Sequence, residues 1–172
     1  KALSFENVIG LSIGTRTDCM TDEILDFLEE LSKDKEIWVE YGIQSFYDET
    51  LEEINRGDSA SNMREWIVKT KQRGLNVCGH LINGLTNETQ EMMLETLRQT
   101  IELEIDSIKF HPLYVVKNTL LTAKYLNGKF EPISEELYID TVVKSIKILP
   151  RNISIQRITA GIDDDSLLAP QW

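Results

Sequence analysis

The sequence predicts an α/β protein built on a parallel sheet, and three observations predict it. Short runs rich in Ile, Val and Leu alternate with longer stretches of helical periodicity, the rhythm of consecutive βα units. Each short run is two-sided, apolar on alternate positions and polar or small on the others. The polar sides carry Ser12, Glu40, Gln44, His80, Lys109 and His111. A parallel sheet is covered on both faces, so these groups must face something other than bulk water. A barrel core filled by side chains would be rich in Val, Ile and Leu at these positions. They point instead to a lumen lined for a polar ligand. The competing reading is a structural network in which the same groups satisfy one another.

Residues 8–15 form the first strand, with Ile9, Leu11 and Ile13 on the apolar face and Gly10, Ser12 and Gly14 opposite. Thr21 reads as an N-cap, followed by Asp22 and Glu23 where the helix dipole favours acids. The stripe Ile24, Leu25, Phe27, Leu28 and Leu31 then marks a helix. The second strand, 36–45, turns Ile37, Val39, Tyr41 and Ile43 to the helices and Trp38, Glu40, Gly42 and Gln44 to the lumen. A short helical connection over 49–55 stops at Arg56-Gly57, and a full helix over 61–73 buries Met63, Trp66, Ile67 and Thr70.

The stretch 75–84 is the third strand, with Val77 and Leu81 on the apolar face and Cys78, His80 and Ile82 on the other. It stops at Gly84 before a helix over 89–103 carrying Met93, Leu94, Leu97 and Ile101. The fourth strand, 106–113, places Ile108 and Phe110 outward and Ser107, Lys109 and His111 inward. An irregular stretch through Pro132 precedes a last helix over 134–149 and a short final strand over 153–158.

At 172 residues, 41% hydrophobic and 27% charged, the chain suits one soluble domain with a real core. No apolar run is long enough for a membrane span. The net charge of −11 argues against a broad phosphate-binding surface. Two cysteines, Cys19 and Cys78, show no CxxC spacing, which favours a reducing cytoplasmic setting. The opening residue is Lys1 rather than Met, so the expectation is a piece of a longer protein.

Five segments together resemble the radical S-adenosylmethionine (SAM) enzymes, in the branch similar to the Elongator catalytic subunit and, within it, short bacterial proteins of unassigned substrate. They are Gly14-Thr15-Arg16-Thr17-Asp18, Val39-Glu40-Tyr41-Gly42-Ile43-Gln44-Ser45, Ile54-Asn55-Arg56-Gly57, His80-Leu81-Ile82-Asn83-Gly84-Leu85 and Ile108-Lys109-Phe110-His111-Pro112-Leu113. The resemblance covers nearly the whole chain. It implies a partial parallel (β/α) barrel over 1–172, the back half of a radical SAM (β/α)6 barrel with about four βα units and a short final strand. It also implies SAM and a 4Fe-4S cluster as cofactors. No cysteine triplet is present, so the cluster ligands are expected upstream, leaving this piece inactive alone and with no metal ligands of its own.

By the same resemblance Gln44 matches a polar position near the SAM ribose, His80 a ribose contact that is acidic in relatives, and Arg56 a contact to the methionyl carboxylate. Backbone around Ile82 and Gly84 would pass the adenine, and Glu40 stands among the cofactor-facing positions. Lys109 and His111 are the candidate catalytic groups. Gly14 stands where many relatives have a ribose-binding Glu, Thr17 replaces a proline, Asp58 a histidine and Thr86-Asn87 a Pro-Gly pair.

Plainer readings stand beside these. Arg56 can offset a helix dipole, Lys109 can pair with Glu40, and His111 before Pro112 can simply end its strand. Trp38 can plug the barrel floor, Cys78 and Cys19 can be inert thiols, and Asp163-Asp164-Asp165 can be a solvated loop rather than a magnesium site.

The implied activity is reductive cleavage of SAM to a 5′-deoxyadenosyl radical acting on an unknown substrate. RNA is conceivable but gains nothing from the acidic composition. The alternatives are an aldolase-type Schiff-base enzyme using Lys109, or a non-catalytic nucleotide-binding half-barrel. An uncovered sheet edge would also permit an edge-mediated dimer.

Overall fold

A computed structural model describes residues 2–161 and 165–172. Its main sheet contains β1 (Gly10–Thr15), β2 (Glu36–Gln44), β3 (Asn76–Asn83), β4 (Ser107–Pro112) and β6 (Ser154–Arg157). They run in the order β1-β2-β3-β4-β6, every pair parallel. Each new strand is added at the same edge, so the crossover helices fall on one face and leave the other concave, as in part of a (β/α) barrel. The connecting helices are α1 (Asp22–Ser32), α2 (Asp48–Glu53), α3 (Ala60–Gln72), α4 (Gln90–Glu102) and α6 (Glu135–Ile148).

Local chemistry starts these helices. Thr21, Ser59, Thr89 and Ser134 each accept a hydrogen bond from the backbone N–H three residues on, at 3.2–3.3 Å. A cap of this kind contributes about 1 kcal/mol. The core lies between the helices and the outward face of the sheet, where Ile37, Val39, Tyr41, Ile43, Val77, Leu81, Ile108 and Phe110 are buried. The alternation read from the sequence therefore has the correct register on β2, β3 and β4. A slip of one residue would have exchanged the two faces.

The structure departs from expectation in several places. β1 begins at Gly10, and Ile9 is 79% exposed instead of packing on the core. On α1 only Leu25 and Leu28 are fully buried, Leu31 is half-buried, and Ile24 and Phe27 face outward. The stretch expected to be irregular holds a short strand, β5 (Val115–Val116), and a helix, α5 (Leu120–Leu126). β5 pairs antiparallel with β7 (Leu167–Ala169) as a second small sheet. Of the Asp163-Asp164-Asp165 run only Asp165 falls within the described residues, so its loop and magnesium readings lie outside them.

Gly84 ends β3 with φ +89°, and a Cβ there would meet Ile133 at 2.8 Å. Only glycine serves both demands. Ile43 is fully buried on the helix side of β2. Ile43→Asp should therefore unfold the domain, because an unpaired buried carboxylate costs several kcal/mol against a total stability of about 5–15 kcal/mol. A thermal melt read by circular dichroism checks this, and an unchanged melting curve would contradict the assignment.

Candidate functional site

The concave face carries its polar groups in rows fixed by strand register. Gly14, Glu40, Cys78 and Ser107 lie side by side, and Gly42, His80, Lys109 and Arg157 form the next row toward the strands' C-terminal ends. Because parallel neighbours sit under 5 Å apart, residues in one row reach each other directly.

Glu40 is the centre of this face. Its Oε1 accepts from the Ser12 hydroxyl, and its Oε2 accepts from the Lys109 ammonium. His80 Nε2 is 2.7 Å from the same Oε2. A carboxylate only accepts, so His80 carries its hydrogen on Nε2. Burial raises the Glu40 pKa, but the hydrogen bonds from Lys109, Ser12 and His80 outweigh it and hold the group down at about 2, against an ordinary 4.5. For His80 burial dominates; with the nearby Lys109 and Arg157 cations it outweighs the Glu40 hydrogen bond and depresses the pKa. The imidazole is thus held neutral beside an ionised carboxylate.

Cys78 lies in the Glu40 row, fully buried. Burial pushes its thiol upward, against a hydrogen bond from Ser107. Ser107 is tied in turn to Gln156, whose Nε2 donates to its Oγ at 2.7 Å. One donor atom each from Glu40, Cys78 and His80 lies within 4.8 Å of the others. The sequence reading treated Cys78 as inert and gave this face no metal ligands. The i, i+2 spacing of Cys78 and His80 was visible in the sequence, whereas their place beside Glu40 comes from strand register.

A second group lies at the C-terminal end of β2. Gln44 follows a register shift, adopts φ +68°, and buries an Oε1 that finds no hydrogen-bond partner among the described residues. Arg56 is only 6% exposed. Its Nη2 donates to the Gly42 carbonyl at 2.5 Å while its Nε is buried without a partner among the described residues. Burial, then repulsion from Arg16, lowers its pKa. The guanidinium thus reaches the sheet from the loop that follows α2. A Cβ on Gly42 would stand 3.4 Å from that Nη2, in van der Waals contact with the cation. Asp58 anchors the adjoining loop by accepting from the Thr17 hydroxyl and from Asn62 Nδ2, the latter at 2.7 Å.

The remaining candidates are placed apart from Glu40. His111 Nδ1 donates to the Pro112 carbonyl at 2.7 Å, and its ring meets Tyr114 edge-on at 4.9 Å. Ile82 is half-buried and pairs in register with His111. Gly84 lines a different cavity of about 420 Å³ with Leu85, Met93, Ile133 and Leu137. Asn83, absent from the sequence-based candidates, buries an Nδ2 with no partner among the described residues. Trp38 donates from Nε1 to Glu36 at 2.8 Å and borders a cleft with Ile9 and Gly10 at the opposite end of the strands. Cys19 is exposed.

Comparison with known proteins adds a consistent set of matches. The Radical SAM superfamily model matches residues 2–100, and the Radical_SAM C-terminal domain model matches residues 105–172. Protein YhcC of Escherichia coli is 40% identical over 174 residues, covering 100% of this chain and 56% of its own. Protein YtqA of Bacillus subtilis is 35% identical over 170 residues, covering 99% of this chain and 53% of its own. The chain thus spans about half the length of these curated relatives. The solved structure of Elp3 from the archaeon Methanocaldococcus infernus, lacking residues 1–46, superposes with a TM-score of 0.80 at 27% identity over 90% of this chain and 36% of that one. No helix among the described residues is long and apolar enough to cross a membrane.

The Glu40 carboxylate sets a pH dependence. A depressed folded pKa contributes stability that is fully present above the ordinary value of 4.5 and is lost as pH falls through about 2. The stability difference between wild type and Glu40→Gln, on the order of a few kcal/mol, should be flat near neutrality and shrink across that acid window. Urea midpoints measured at a series of pH values test this. A difference that ignores pH would mean Glu40 is not the acceptor of three hydrogen bonds.

Proposed function

Because the chain belongs to the radical SAM superfamily, we propose that it forms the SAM- and substrate-facing part of an enzyme that cleaves SAM reductively at a 4Fe-4S cluster. The observation that carries this reading is the pair left unsatisfied among the described residues at the end of β2: a buried guanidinium with an unpartnered Nε and a buried amide with an unpartnered Oε1. Leaving such groups unpaired costs about 1–3 kcal/mol each, which a bound ligand would recover. Their chemistry is complementary to two parts of one molecule. A guanidinium donates to a carboxylate, here the methionyl end, and an amide oxygen accepts from a ribose hydroxyl.

Bound SAM supplies, on reductive cleavage, the 5′-deoxyadenosyl radical that takes hydrogen from the substrate. The chain's own residues do the positioning. Arg56 is pre-oriented by the Gly42 carbonyl, so its remaining N–H groups are fixed before the ligand arrives. Glu40 holds the Lys109 ammonium on the lumen face, where it is a charged donor to a substrate. His80, kept neutral, offers a fixed imidazole in the same row. His111 donates from Nδ1 to Pro112, which leaves its Nε2 as an acceptor for a substrate proton.

The cluster does not fit this chain's residues. Cubane clusters are held by several thiolates, and Cys19 is exposed while Cys78 is buried in the sheet. Its ligands are therefore assigned to protein outside these residues. The Schiff-base reading loses support because the Lys109 Nζ is engaged by the Glu40 carboxylate.

Arg56→Lys keeps the charge but not the planar donor fork. It should weaken SAM binding by about 1–3 kcal/mol, roughly 5- to 150-fold, in calorimetric titrations of the two proteins. Equal affinities would leave Arg56 with the sole task of pinning the Gly42 carbonyl. Reconstituted anaerobically with iron and sulfide, this chain alone should acquire no stable cluster absorbance and release no 5′-deoxyadenosine from SAM. Robust cleavage by these residues alone would overturn the assignment of the cluster ligands elsewhere.

A further inference from the structure

The Glu40 row has a second capability beyond the positioning roles given to it above. Cys78 and His80 are i, i+2 on β3 and so project from one face of the strand, while Glu40 is the in-register neighbour of Cys78 on β2. Two residues from one strand and one from the next make a rigid tripod, because neither strand can shift without breaking the sheet. The three donor atoms lie within 4.8 Å of each other. A tetrahedral ion with bonds of about 2.0–2.3 Å needs its ligands roughly 3–4 Å apart, so rotamer adjustment closes the gap.

We propose that Glu40, Cys78 and His80 form a binding site for a borderline-soft divalent cation of the zinc type, with a fourth position open to the lumen. The ligand set decides the class. Sulfur, imidazole and carboxylate together suit zinc or cobalt, whereas magnesium and calcium favour oxygen alone. Ser12 positions the carboxylate by donating to its Oε1, which leaves Oε2 for the ion. That Oε2 now accepts from Lys109 and lies 2.7 Å from His80 Nε2, so a cation's place beside it is already marked by an ammonium. Entry of the ion displaces the Lys109 Nζ, moves the His80 ring hydrogen from Nε2 to Nδ1 by exchange with solvent so that Nε2 can ligate, and releases the thiol proton of Cys78 to solvent, giving Cys78 a metal–sulfur bond in place of its S–H. Lys109 thus acts as a competitor built into the site. The inference involves no SAM; it draws on Glu40, His80 and Lys109, which the function proposed above also uses, and a metal titration reads it independently of SAM binding or cleavage.

The test is an anaerobic titration of the whole chain with Co²⁺, which reports thiolate ligation by an intense near-ultraviolet charge-transfer band. The band should saturate at one equivalent, survive Cys19→Ser and vanish in Cys78→Ser. His80→Gln should weaken binding at least about tenfold, and Ser12→Ala about 10- to 100-fold, the range for groups that orient a ligand. Lys109→Met should tighten it, an outcome that does not depend on whether the Cys78 variant folds. Absence of the band in wild type, its persistence in Cys78→Ser, or weaker binding by Lys109→Met would each overturn the proposal.

Discussion

One carboxylate holds the concave face together. Glu40 stands on β2, and the three groups that donate to it come from β1, β3 and β4. A lone ionised carboxylate in this setting would pay a desolvation cost of several kcal/mol. Three donors offset that cost and fix three side chains relative to one another. Removing the carboxylate would leave Lys109 and His80 without their shared acceptor, and the polar face would lose the one reference point common to four strands. The arrangement is structural and chemical at once, because the same contacts that stitch the strands also set the charge of Glu40 and the tautomer of His80.

The electrostatics of this face run against those of the whole chain. The protein carries a net charge of −11. Yet Glu40 is paired with Lys109 beside a neutral His80, Arg157 neighbours Lys109 in the next row, and Arg56 lies buried at the rim. An acidic exterior therefore surrounds a concave surface with a surplus of cationic donors. That contrast favours small anionic groups entering the lumen over extended polyanions lying across the surface.

How much of this was legible depended on the range of the interaction concerned. Strand faces were readable because burial repeats with period 2, and Val39, Tyr41 and Ile43 against Glu40 and Gln44 leave little ambiguity. Helix starts were readable because a Ser or Thr cap acts three residues away. Apart from the Lys109–Glu40 pair, which the shared face suggested, contacts between distant segments were not. Nothing local to Arg56 says that its guanidinium crosses to the Gly42 carbonyl, and nothing local to Cys78 says that Glu40 stands beside it. Helix α5 was missed because its apolar residues do not form a buried stripe; Leu120 is 85% exposed and Leu126 also faces outward. Ile9 and Phe27 erred in the opposite sense, since apolar character reports what can be buried and not what a neighbour is present to bury.

The strand order assigns the polar groups unequal kinetic fates. β1 and β6 each pair with one neighbour in the main sheet, whereas β2, β3 and β4 are flanked on both sides. Amide hydrogens on the flanked strands should exchange with solvent only through large openings, and those on β1 through local fraying. Ser12 rides on that fraying strand, while Glu40, His80 and Lys109 ride on the protected ones. Transient detachment of β1 would then strip one hydrogen bond from Glu40 Oε1 and leave its other partners in register. Such detachment would have to break the six-residue β1–β2 ladder together with the Ser12 contact, while the centre of the face stays in register.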